Sequence, residues 1–178
     1  RRQRQMCIRD SMWPFHPERP QDYPNDLMLY KNDKPVQALI DQSDLTKNIT
    51  DESIRFIEEN KNNQFFLYIA HPQPHVPLFA SKEFQGSTGE GLFADVISEI
   101  DFSVGRVIEA LEKNNLSENT IVVFTSDNGP WLSYGDHAGS SGIFREGKGT
   151  AWEGGQRVPC IIKYPKEIMP KTIIAVSY

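Results

Sequence analysis

One long stretch of helical period lies between two short, uninterrupted apolar runs. That alternation narrows what the chain can fold into more than any other feature. Phe93, Val96, Ile97, Ile100, Val104, Val107, Ile108 and Leu111 recur at three- and four-residue steps, with Glu99, Arg106, Glu109 and Glu112 between them. The spacing predicts a helix over Leu92–Asn114, with Asn114 and Asn115 as its stop. Before it, Gln64 to Ala70 carries the run Phe-Phe-Leu-Tyr-Ile-Ala; after it comes Thr120 to Thr125. Neither run alternates polar with apolar, so each is expected as a strand buried on both faces. Leu45 to Lys61 reads as a further helix, with Ile49, Ile54, Phe56 and Ile57 as its apolar face, and a third strand is expected from Arg157 to Tyr164. Helix, strand, loop, helix, strand, loop, strand is the order of an α/β fold with a largely parallel sheet. Ligands in such folds sit past the carboxyl ends of strands, which singles out the loops 71–79 and 126–155.

Composition narrows the function classes. Of 178 residues, 38% are hydrophobic and 24% charged, enough apolar side chain to build a core. Lys plus Arg is 19 and Asp plus Glu is 24, so the net charge is 19 − 24 = −5. No broad basic face is implied, which argues against a nucleic-acid partner. No apolar run approaches the ~20 residues of a membrane-spanning helix. Cys7 and Cys160 are too few and too far apart in sequence to define a disulfide framework or a zinc site. Cys160, among Val158, Pro159, Ile161 and Ile162, reads as a buried, inert thiol. Residues 1–11, with four arginines and no periodicity, read as a non-native or disordered tail. Residues 12–36 hold five prolines and should form an extended connection.

Three segments carry candidate chemistry. In Ser126-Asp127-Asn128-Gly129-Pro130, a carboxylate and an amide follow a strand directly. These are the hard oxygen donors that Ca²⁺ or Mg²⁺ prefers, although Asp-Asn-Gly-Pro also makes a plain β-turn. In Gly147-Lys148-Gly149-Thr150, glycines allow close backbone approach around an ammonium that can meet an anion. This is not a phosphate-binding P-loop, because no strand-loop-helix context surrounds it and Gly149 follows the lysine; a solvated lysine in a flexible loop is the simpler reading. In His71-Pro72-Gln73-Pro74-His75-Val76-Pro77, three prolines stiffen a loop that can aim an imidazole as donor or general acid. His137, in Gly135-Asp136-His137-Ala138-Gly139, either contacts a substrate or bonds its neighbour Asp136.

Taken together, the blocks Phe65-Phe66-Leu67-Tyr68, Pro74-His75-Val76-Pro77, Thr125-Ser126-Asp127-Asn128-Gly129-Pro130, Gly147-Lys148-Gly149-Thr150-Ala151-Trp152-Glu153-Gly154-Gly155 and Arg157-Val158-Pro159 resemble the sulfatase family, over roughly residues 12–170. The resemblance implies an alkaline-phosphatase-like sandwich, a mostly parallel central sheet flanked by helices, of which residues 12–178 are a fragment. It implies hydrolysis of a sulfate ester, of a sulfated carbohydrate or an aryl sulfate, with one Ca²⁺ and a formylglycine nucleophile made within a C/S-x-P-x-R motif. By that resemblance Asp127 and Asn128 are Ca²⁺ ligands, and Lys148 binds the sulfate and stabilises charge developing on it. His75 meets the sulfate near the leaving oxygen, and His137 is a substrate contact. Export to a periplasmic, extracellular or lysosomal compartment is also implied by the family alone. The chain departs from the pattern in two respects. It holds no C/S-x-P-x-R motif, and the paired aspartates expected near the start of the domain have no counterpart. A fragment with half a metal shell and no nucleophile is expected to be inactive alone. The competing readings are a phosphatase or phosphodiesterase of the same superfamily, or a relative that binds sulfated glycans without cleaving them.

Overall fold

The computed structural model describes residues 28–38 and 41–173. Strands β1 (Met28–Lys31) and β2 (Lys34–Ala38) form an antiparallel hairpin. Helix α1 (Leu45–Asn60) and helix α2 (Leu92–Lys113) come next. Strand β3 (Val122–Thr125) pairs antiparallel with β4 (Cys160–Lys163), in the register Val122↔Lys163 to Thr125↔Cys160. Between them lie a 3-10 turn, Leu132–His137, and a one-turn helix α3, Glu153–Gln156. Nothing in the spacing of that loop predicts a helix.

The chain divides into two compact units, Arg1–Ser53 with Phe66–Val104, and Ile54–Phe65 with Gly105–Tyr178. In the first, Leu45, Val76, Leu78, Ala80, Val96 and Ile100 are buried. Each Val, Leu or Ile removed from water stabilises by roughly 1.5–3 kcal/mol. Polar groups share this interior. Glu99, expected on the solvent side of α2, is buried because its carboxylate accepts the Ser81 N–H at 2.8 Å. Asp95 is buried too; it accepts from the Gly86 N–H at 2.8 Å, the Thr88 N–H at 3.1 Å and the Thr88 hydroxyl at 2.6 Å. Those bonds, the Thr88 hydroxyl first, hold its carboxyl below the usual carboxylate range. The two acids tie segment 81–88 to α2, so the helix organises the chain that precedes it.

In the second unit, Ile57, Ala110 and Leu111 are buried, and Phe56 meets Phe65 edge to face at 5.7 Å. Helix α2 ends at its asparagines, as expected. Asn115 takes the left-handed conformation at φ 57°. The Asn115 N–H donates to the Glu112 carbonyl at 3.0 Å and the Leu116 N–H to the Leu111 carbonyl at 2.8 Å. This pair of bonds is the Schellman closure, and asparagine tolerates the left-handed position it requires.

The expected strands need correction. Gln64 to Ala70 joins no ladder, and Phe66 and Tyr68 are 87% and 78% exposed. Its non-alternating sequence suits a strand with neighbours on both sides, and none of the described residues supplies one. Strands β3 and β4 do form, yet Val123, Phe124, Ile161 and Ile162 all stand exposed. The pairs Val123↔Ile162 and Phe124↔Ile161 lie on opposite faces, so both faces of the ribbon are apolar and open. Cys160 is a free, exposed thiol rather than a buried one. Both described ladders are antiparallel, so the parallel pairs expected of the central sheet are not among the described residues. No helix among them is long and apolar enough to cross a membrane.

Candidate functional site

The second unit gathers three of the sequence blocks through its main chain. Strand β3 ends at Thr125, whose hydroxyl donates to the Pro159 carbonyl at 3.1 Å. The Ser126 hydroxyl donates to the Asn128 carbonyl at 2.9 Å, which shapes the bend carrying Asp127 and Asn128. The bend does not close on itself as a simple turn, because the Gly129 N–H reaches across to the Gly155 carbonyl at 3.1 Å. Next, the Lys148 N–H donates to the Pro130 carbonyl at 2.8 Å, and the Gly154 N–H to the Arg145 carbonyl at 2.9 Å. Segments 129–130, 145–150 and 154–155 thus lie backbone against backbone.

Glycine is what permits this. A Cβ on Gly129 would run into the Gly154 carbonyl oxygen, and one on Gly154 into the Glu146 carbonyl oxygen. On Gly155 it would lie 2.6 Å from both the Gly147 and the Thr150 carbonyl oxygens. No side chain larger than hydrogen fits at such approaches. The glycines that suggested a flexible loop are therefore a close-packed staple, and Lys148 is fixed by it. Its backbone is bound two residues past Asn128, and its ammonium lies 5.1 Å from the centre of the Trp131 ring. Arg145 stacks over Trp152 at 3.7 Å and Arg157 over Phe144 at 5.0 Å, so the surrounding cations rest on aromatic faces.

Asp127 is exposed and Asn128 half-buried, and neither side chain takes part in a hydrogen bond or ion pair among the described residues. Their donors are a carboxylate and an amide oxygen, hard ligands that fit Ca²⁺. Two donors are only part of a shell. No group of three His, Cys, Asp or Glu among the described residues could hold a metal. His137 closes the exposed 3-10 turn, on the same unit but outside the staple.

His75 belongs to the first unit. Its loop is held by a residue that residue type alone did not single out: Gln73 is buried, its amide N–H donating to the Pro77 carbonyl and its amide oxygen accepting the Phe79 N–H, both at 3.3 Å. Buried Val76 and Leu78 anchor the far side, and the Gln73–Pro74 and Val76–Pro77 peptides are cis. A glutamine between two prolines was the available signal, since a loop short of N–H groups needs a side chain to bridge it. The half-buried His75 ring sits 2.7 Å from the Val76 carbonyl through Nδ1. A carbonyl only accepts, so Nδ1 carries a hydrogen.

A family model described as Sulfatase matches residues 10–177. The chain belongs to the sulfatase family. Among its relatives are an arylsulfatase of Hemicentrotus pulcherrimus, 40% identical over 142 residues, covering 80% of this chain and 26% of that protein, and the steryl-sulfatase of Mus musculus, 37% identical over 145 residues, covering 79% and 23%. A solved structure of Ps i-CgsB in complex with k-i-k-neocarrahexaose matches with a TM-score of 0.69 at 33% identity, over 84% of this chain and 34% of that one. This sulfatase chain therefore has the alkaline-phosphatase-like α/β fold in partial form, and it spans about a quarter of the curated relatives it matches.

Proposed function

We propose that the whole protein hydrolyses a sulfate ester and that this chain supplies the half of the site that binds the sulfate and the leaving group. The observation that carries the reading is the glycine staple, which joins the Asp127-Asn128 bend to Lys148 by main-chain bonds. An oxygen-donor pair and an ammonium held by one rigid scaffold suit a small, multiply charged oxyanion.

In this reading Asp127 and Asn128 hold Ca²⁺ through their side-chain oxygens. Bound there, Ca²⁺ would supply positive charge that polarises the sulfate oxygens. Lys148 binds the sulfate and offsets the charge that grows on it as the S–O bond breaks. Its ammonium lies 5.1 Å from the centre of the Trp131 ring, an electrostatic partner that favours this position. His75 stands at the leaving oxygen. Because its Nδ1 proton is committed to the Val76 carbonyl, the proton it gives up must come from Nε2 of the cation. His137, on an exposed turn, contacts the substrate beyond the sulfate.

The nucleophile is supplied elsewhere, because this chain holds no C/S-x-P-x-R motif in which a formylglycine could be made. The 178-residue chain alone is therefore inactive, and an assay with a chromogenic aryl sulfate and Ca²⁺ should show no turnover. Substrate class is proposed as a sulfated carbohydrate, supported by the oligosaccharide held by the Ps i-CgsB relative. The deciding experiment is steady-state hydrolysis by the whole protein on aryl sulfates and sulfated oligosaccharides. Removing Lys148 as a charge stabiliser, by Lys148→Ala, should lower kcat by about 10²–10³, as loss of one transition-state donor does. A variant within twofold of the parent would refute the assignment.

A further inference from the structure

His71 lies four residues before His75, at the entry of the same loop. Its ring is largely buried, and burial alone holds its pKa below the usual histidine range. Its Nε2 is 3.5 Å from the Ser103 hydroxyl of α2, and that hydroxyl is 2.6 Å from the Thr50 hydroxyl of α1. The Thr50 hydroxyl is 2.7 Å from the Thr46 carbonyl.

Counting hydrogens along this chain fixes every role. A carbonyl only accepts, so the single Thr50 hydrogen goes to Thr46. Thr50 must then accept from Ser103, since two hydroxyl oxygens at 2.6 Å with no hydrogen between them would repel. That uses the only hydrogen of Ser103, which must in turn accept from His71. So Nε2 of His71 carries the hydrogen. Nδ1 is buried with no hydrogen-bond partner among the described residues, so a second proton there would have no acceptor.

We propose that His71 is a positioning residue: a neutral imidazole, locked as the Nε2–H tautomer, that ties the entry of the His75 loop to both long helices. The loop exit is tied separately, through Ser81 and Glu99. The importance of His71 for turnover rests on the role proposed for His75; the tautomer and the anchoring do not.

The test uses the full chain labelled with ¹⁵N-histidine. Long-range ¹⁵N–¹H correlation should show one ring protonated at Nε2 and bare at Nδ1 near neutral pH. In His71→Asn the amide nitrogen sits near the Nδ1 position and no donor faces Ser103. Loss of one buried hydrogen bond should then lower hydrogen-exchange protection of amides in 71–81 by about five- to tenfold. His71→Gln places a donor near the Nε2 position and should restore protection to within about twofold of the parent, a pattern that simple loss of packing does not produce. If the histidine variants do not fold, Ser103→Ala, which removes the acceptor, should lower protection of the same amides. A His71 ring protonated at Nδ1 in the parent overturns the proposal, as does Asn leaving the loop unchanged, Gln failing to restore it in a folded variant, or Ser103→Ala having no effect. None of these readouts needs turnover, so their failure is distinct from absence of sulfate-ester hydrolysis.

Discussion

Gln73 does for the His75 loop what a strand ladder would do for a strand. Its one side chain satisfies a carbonyl and an N–H that three prolines leave without neighbours. Gln73→Glu would keep the acceptor and lose the donor, and would bury a charge. Leaving one buried group unmet costs about 1–3 kcal/mol, so the urea midpoint should fall at neutral pH. His71 gives a pH dependence with a definite sign. Above the ordinary value of 6.5 it is neutral folded or unfolded and contributes no slope. As pH falls below 6.5 the unfolded chain takes up its proton first, so stability is lost until the lowered folded value is reached. The difference in urea midpoint between about pH 7.5 and about pH 5.5 should therefore be smaller in His71→Gln than in the parent. Asp127, Asn128, Lys148, His75 and His137 were all visible as candidates from residue type and position. Gln73 and the Thr50–Ser103–His71 chain were not, because hydrogen-bond direction depends on which atoms face each other after folding.

The helices were the most legible elements. The three- and four-residue steps of α2 and its closing asparagines marked both ends closely, since helical period and C-cap chemistry are local. The face it buries was less legible. Asp95 and Glu99 turn inward to bind backbone N–H groups from 81–88, a demand set by another segment. Two glycines give opposite predictions. Gly105 lies within α2, exposed, with open space where a Cβ would stand. Gly105→Ala should stabilise the chain by about 0.5–1 kcal/mol, seen as a higher denaturation midpoint. Gly154→Ala must push the Glu146 carbonyl aside. It should destabilise by about 1–3 kcal/mol and, on the role proposed for Lys148, which rides on the displaced segment, lower sulfate affinity in the whole protein.

For the whole molecule, the alternation of helix and apolar run was enough for the α/β class, whereas burial of the runs was not. Burial on both faces needs neighbouring layers, and this chain spans about a quarter of the relatives it matches. A two-stranded ribbon apolar on both faces is a sticky object in water. The isolated chain should bind a hydrophobic dye and self-associate, and Ile161→Lys should reduce both, as read by fluorescence and light scattering. The staple also divides the long loop by how freely it can change. At Gly129, Gly147, Gly154 and Gly155 any added carbon meets neighbouring atoms, whereas Ser133, Tyr134, Asp136 and His137 on the Leu132–His137 turn are exposed; only Gly135, at φ 54°, is held there by its backbone. On the substrate contact proposed for His137, new preferences should be reachable by diversifying the exposed side chains of that turn. Libraries placed on the glycine-dense segments would return mostly misfolded proteins.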